Sequence, residues 1–65
     1  MKNNIRVERA IKKITQQDLA DLCGVSRQTI NAIETERFVP STVLALKIAR
    51  VFEKTVNDLF MLEEE

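Results

Sequence analysis

The sequence predicts an all-α domain, a compact bundle of five short helices, and three observations carry that prediction. Helix starts recur along the chain: Thr15, Ser26, Ser41 and Thr55 are each placed to accept a hydrogen bond from the free amides of a helical first turn. Apolar residues fall at helical spacing, most clearly Leu44, Ala45, Ile48, Ala49 and Phe52. One Gly and one Pro in 65 residues supply too little turn material for a succession of β-hairpins.

The elements follow in order. A first helix is expected near 6–13, although Ile5, Val7, Ile11 and Ile14 share no single stripe. A second runs 16–23. Thr15 is its cap, and Asp18 at the third helical position reaches back to the cap's own amide, a variant of the capping box. Gly24 closes this helix in the left-handed conformation. A third helix runs 27–34 behind Ser26, and Thr35 to Pro40 is a loop. Pro40 biases Val39 toward extended backbone, and Ser41 then starts a fourth helix over 42–52. Thr55-Val56-Asn57-Asp58 repeats the capping pattern and opens a short fifth helix, 56–60. Lys2 to Ile5 and Phe60 to Glu63 are free to extend as short terminal strands.

Size and composition narrow the function classes. At 65 residues and 7.5 kDa the chain reads as one domain, 1–65. It buries only about 60% of its unfolded surface, and domains this small usually add a disulfide, a metal or a partner subunit. Cys23 is alone and histidine is absent, so neither a disulfide nor a metal site is expected. Oligomerisation remains. Lys+Arg and Asp+Glu are 10 each, for zero net charge and a pI near 6.3. That balance is polarised. Residues 1–13 hold Lys2, Arg6, Arg9, Lys12 and Lys13 against Glu8, a net +4; Asp58, Glu63, Glu64 and Glu65 give residues 58–65 a net −4. Such a chain can present one basic face despite a neutral total. No targeting segment or membrane span is expected, and a single thiol fits a reducing compartment, so the reading is cytoplasmic.

Function concentrates in residues 15–35, TQQDLADLCGVSRQTINAIET. Only Gly24-Val25-Ser26 separates two capped helices, which forces a steep crossing, a helix-turn-helix. Ala20 is small where the second helix of the motif approaches. Leu19, Val25, Ile30 and Ile33 tie the unit to a core. Arg27, Gln28, Asn31 and the hydroxyls of Ser26 and Thr29 are left for the outer face. They do little for a core, and they are the groups that read base edges, Arg on guanine and Gln or Asn on adenine.

The run VSRQTINAIE, with Ile14–Glu34 around it, closely resembles the helix-turn-helix of the phage lambda repressor and Cro-type (XRE-like) family. The resemblance continues through Phe38-Val39-Pro40-Ser41 and Leu44–Ala49 to Leu59-Phe60. It implies a lambda-repressor-like fold and a small stand-alone homodimeric transcriptional regulator, a repressor that lays helix 27–34 in the DNA major groove. By resemblance, Arg27, Gln28 and Asn31 contact bases. Gln16 contacts a phosphate and braces the reading residue, and Ser26, Thr29 and Arg37 face the DNA backbone. Arg9 and Glu34 match a structural ion pair. The chain departs from the family pattern at Glu8, where an apolar residue is common, and at Thr35-Glu36-Arg37, where a Gly or Lys-rich turn is usual.

Phe60, Met61 and Leu62 exceed the needs of the core, as do Val43, Leu46 and Val51, and the C-terminal three are read as a dimer contact. The implied partners are a palindromic double-stranded DNA operator and a second copy, with no membrane, small-molecule ligand or cofactor. The alternative is an antitoxin-like protein-interaction module acting through the hydrophobic, acidic tail Phe60–Glu65. Catalysis is not expected: Asp18 and Asp21 are explained by capping and exposure, and Cys23 by burial as a small hydrophobe.

Overall fold

The computed structural model describes residues 1–63. Five α-helices follow one another: α1 (Ile5–Lys12), α2 (Gln16–Cys23), α3 (Arg27–Glu34), α4 (Thr42–Val51) and α5 (Val56–Leu59). Two short strands, β1 (Lys2–Asn3) and β2 (Phe60–Met61), pair antiparallel, with Lys2 opposite Met61 and Asn3 opposite Phe60. α2 and α3 fall where the sequence predicts them. α1, α4 and α5 each end one residue earlier than expected, and the flanking segments do extend.

The four expected caps form. Thr15 and Thr55 make full capping boxes with Asp18 and Asp58, and Ser26 and Ser41 accept from Thr29 N and Leu44 N. The backbone amide and hydroxyl of Thr55 hold the Asp58 carboxyl below its ordinary value. Helix ends are less orthodox. Gly24 closes α2 at φ 71°, with Val25 N donating to Ala20 O at 3.0 Å. Lys13, Glu36 and Glu53 adopt the same left-handed conformation without being glycine. At α1, Ile14 N reaches back to Arg9 O at 3.1 Å; at α4, Lys54 N reaches Ala49 O at 3.0 Å. Left-handed backbone costs an L-residue about 1–2 kcal/mol. Lys13→Gly should therefore stabilise the chain by up to about 1 kcal/mol after the added entropy of the unfolded glycine is subtracted. The check is urea denaturation, and an unchanged or lower midpoint would show that Lys13 bears no strain.

The core lies where the helices converge. Ile5, Leu19, Ala20, Cys23, Ile30, Ile33, Leu44, Ala45, Ile48, Ala49, Phe52, Leu59 and Phe60 are buried, and Ile14, Val25, Val51 and Val56 pack against them. The whole predicted stripe of α4 is inside. α1 contributes Ile5 alone, while Val7 and Ile11 face outward. Phe60 requires a correction. Its side chain is only 6% exposed and completes the monomer's own core, because the β1–β2 pairing turns it inward. Of the three residues expected at a dimer contact, Leu62 is 87% exposed and Met61 partly so. Glu64 and Glu65, the end of the acidic tail, lie outside the described residues.

Candidate nucleic-acid interface

α2 and α3 pack against each other through buried Leu19, Ala20, Cys23, Ile30 and Ile33. The turn between them is the three-residue link Gly24-Val25-Ser26, in which Ser26 is at once the end of the turn and the cap of α3. With Ile30 and Ile33 turned inward, α3 presents Ser26, Arg27 and Gln28 to solvent, and Asn31 lies half-buried one turn on. The Ser26 and Thr29 hydroxyls lie 3.0 Å apart at the helix start. Arg37, past the end of α3, is exposed and donates from Nε to Thr35 Oγ1 at 3.0 Å.

Behind this face lies a network of directed hydrogen bonds. Arg9 Nε donates to Glu34 Oε2 at 2.6 Å, and Arg9 Nη2 to Glu34 Oε1 at 3.0 Å. Arg9 also donates to Ile14 O at 3.1 Å, so one guanidinium joins α1, the turn after it and the end of α3. The Glu34 side chain has no exposed surface. Gln16 Nε2 donates both to Glu34 Oε1 and to Asn31 Oδ1, each at 3.2 Å. Arg27 Nη1 donates to Gln16 Oε1 at 3.4 Å. The expected Arg9–Glu34 pair thus joins Gln16, Arg27 and Asn31 in one connected set. Gln28 stands outside it.

Burial works to raise the Glu34 carboxyl. The bonds from Arg9 and Gln16 and the charges of Arg9 and Arg6 outweigh it, and the group is held below its ordinary value. The bond to Glu34 in turn pushes the Arg9 guanidinium upward. The pair is ionised at neutral pH, so the charge it places behind the reading face is internally compensated. Cys23 is buried, and burial pushes its thiol up, with only partial relief from Lys47; it carries no activated thiolate.

Two contributors escaped the sequence reading. Arg6 Nε stands 3.8 Å from Glu34 Oε1, three residues before Arg9 on the same side of α1; that i, i+3 spacing of two arginines was the available signal. Asn3 donates from Nδ2 to Ile33 O at 2.9 Å, tying β1 to the last turn of α3, and no local pattern announces it. Among the described residues no group of His, Cys, Asp and Glu is placed to hold a metal, and no helix is long and apolar enough to cross a membrane. An open groove between α4 and α5 is lined by Leu46, Ala49, Arg50, Lys54, Thr55, Val56 and Asn57 and shares no residue with this interface.

Comparison with known proteins agrees with the geometry. The helix-turn-helix family profile matches residues 5–59, from the start of α1 to the end of α5. The chain belongs to that family, and its class is the DNA-binding transcriptional regulator. Its relatives include an uncharacterized HTH-type transcriptional regulator of Methanocaldococcus jannaschii, 48% identical over all of this chain and 98% of that protein. The HTH-type transcriptional regulator YgzD of Bacillus subtilis is 46% identical over the same shares. A third, from Archaeoglobus fulgidus, is 45% identical over all of this chain and 93% of its own length.

Proposed function

We propose that the chain is a homodimeric, sequence-specific repressor, resident in the cytoplasm, that lays α3 in the major groove of operator DNA. The carrying observation is the division of α3 into two faces. Ile30 and Ile33 are sealed in the core, while Arg27 and Gln28 are exposed, Arg27 with all but one of its donors unused. Arg27 presents a planar fork that fits guanine O6 and N7, and Gln28 an amide that fits adenine. Ser26, Thr29 and Arg37 flank them at the two ends of the helix, where phosphates run. α4 and α5 are committed to the core, and the proposed mode of action is occlusion of promoter DNA by α3.

The dimer is supported by exposed apolar side chains that the monomer leaves uncovered: Val43 and Leu46 on α4, and Leu62 beyond β2. One module of this size makes few base contacts, and two copies related by a twofold axis read half-sites about 10 base pairs apart. In-vitro selection from random duplex DNA at near-physiological salt tests the whole reading. The expected product is a palindrome with half-sites one helical turn apart. A single, non-repeated site would remove the dimer. The 87% exposure of Leu62 also favours a second reading, a protein-interaction module working through the tail. Folded protein that enriches no sequence would favour it.

A further inference from the structure

The turn after α3 is where this chain leaves the family pattern, and its bonds fix the backbone there. Arg37 N donates to Ala32 O at 2.9 Å and Glu36 N to Ile33 O at 3.0 Å, the paired reverse bonds of a Schellman closure. Glu36 holds the left-handed position of that closure at φ 64°, where glycine is usual. Thr35 is the cap just before it. The Thr35 hydroxyl turns back onto the helix and donates to Asn31 O at 2.8 Å, and less closely to Ala32 O at 3.4 Å. A hydroxyl carries one proton and two lone pairs. With the proton spent on the helix, the oxygen is left as an acceptor, and Arg37 Nε donates to it at 3.0 Å.

This bond decides which edge of the arginine is free. A guanidinium has five N–H donors in a rigid fork. With Nε turned to Thr35, the two Nη nitrogens and their four protons form the outward edge. Among the described residues no carboxylate pairs with Arg37, so its charge is open to an anion. We infer that Thr35 is a positioning residue for DNA: its hydroxyl holds the Arg37 guanidinium before DNA arrives and presents the Nη edge to a phosphate beside the C-terminal end of α3. A long side chain loses rotamer freedom when a ligand fixes it, and here the protein removes part of that freedom in advance. The restraint is short, because Thr35 and Arg37 stand two residues apart on a turn already closed by two backbone bonds. The resemblance implies only that Arg37 faces the DNA backbone; the hydroxyl that holds it belongs to Thr35-Glu36-Arg37, where this chain departs from the family. The role rests on the DNA-binding reading.

The test compares wild type, Thr35→Val, Thr35→Ser, Arg37→Ala and the double variant of Thr35→Val with Arg37→Ala. Valine keeps the shape of the side chain without its hydroxyl, and Thr35→Ala serves as a second hydroxyl-free variant should valine disturb the turn. Each is titrated over a range of salt with the duplex selected by wild type and with a scrambled duplex of equal length. Positioning predicts that Thr35→Val weakens both duplexes by about 2- to 10-fold, the cost of ordering one long side chain on binding. Base preferences stay as in wild type, because a phosphate carries no sequence information. Thr35→Ser binds as wild type does. Arg37→Ala lowers the slope of log affinity against log salt by about one, and adding Thr35→Val to it costs nothing more. A Thr35→Val loss that persists beside Arg37→Ala, a change in base preference, failure of serine to restore binding, or no loss at all would each overturn the role. One readout needs no DNA. The Arg37 Nε proton should exchange with solvent more slowly in wild type and Thr35→Ser than in Thr35→Val; equal exchange in all three overturns the restraint. Failure of selection would sink the DNA-binding reading and this role with it, whereas successful selection with Thr35→Val binding as wild type sinks the role alone.

Discussion

Replacing Glu34 by alanine should lower the stability of the chain by about 3–5 kcal/mol, the usual cost of removing one partner from a buried ion pair. For 65 residues the whole stability is on the order of 3–10 kcal/mol, so the variant sits at the edge of folding. The size follows from the geometry. Arg9 would keep its charge in a site only 16% exposed, with the carbonyl of Ile14 as its remaining partner. Gln16 would lose one of its two acceptors. The pair also sets a pH dependence. The Glu34 carboxyl is lowered in the folded chain, so its contribution is complete above the unfolded carboxyl value of about 4.3 and is lost as pH falls through the lower folded value. Thermal melts between neutral pH and pH 2 should show wild type losing stability more steeply than Glu34→Ala in the acid range. Parallel curves, or an unchanged melting temperature at pH 7, would mean the pair contributes nothing net.

Arg27→Ala should weaken binding to the selected operator by about 1–3 kcal/mol, or roughly 5- to 150-fold, and relax preference at a single base pair. Stability should not move, because the Arg27 side chain lies in solvent and its one bond is long, 3.4 Å to Gln16. The pairing of these two outcomes matters. Loss of affinity with selectivity kept would make Arg27 a phosphate contact. Loss of stability as well would make it part of the fold. Competition binding against scrambled duplex, alongside a melt of the same preparation, separates the three.

The local chemistry of this chain was legible because its caps are spelled in single residues. Thr15 with Asp18, Thr55 with Asp58, Ser26 and Ser41 marked four helix starts, and all four form. The stripe Leu44, Ala45, Ile48, Ala49 and Phe52 was readable for the same reason: α4 buries one face of apolar side chains. α1 resisted, and its structure explains why. Its inward face is Ile5 followed by Arg9, and the arginine goes in to meet Glu34. A search for apolar periodicity cannot register a helix docked by an ion pair, and Val7 and Ile11, which face out, add a false stripe. Phe60 misled in the opposite way. Next to Met61 and Leu62 it looked like surplus surface, but strand pairing reverses successive side chains and sends it to the core. The members of the reading face were visible one by one. Beyond the Arg9–Glu34 pair and the Gln16 brace that the resemblance implied, their connection was not, since Gln16 meets Glu34 across 18 residues and Asn3 meets Ile33 across 30.

The contact from Asn3 to Ile33 makes the first residues of the chain part of the end of its reading helix. A helix leaves its last carbonyls without intrahelical partners, and here a side chain from β1 serves one of them. Asn4 N meanwhile donates to Leu59 O, so the same short segment grips both the end of α3 and the end of α5. Pairings between distant chain segments form late and open early relative to helical turns. Opening of this terminal sheet should therefore be the lowest-energy excursion of the folded chain, and it would release the last turn of α3 with it. Amide exchange at Asn4, Met61 and the turn after Glu34 should share one rate, faster than that of the α4 interior. The tightness with which the protein holds its reading helix would then be set partly at its ends, far along the sequence from any residue that touches DNA.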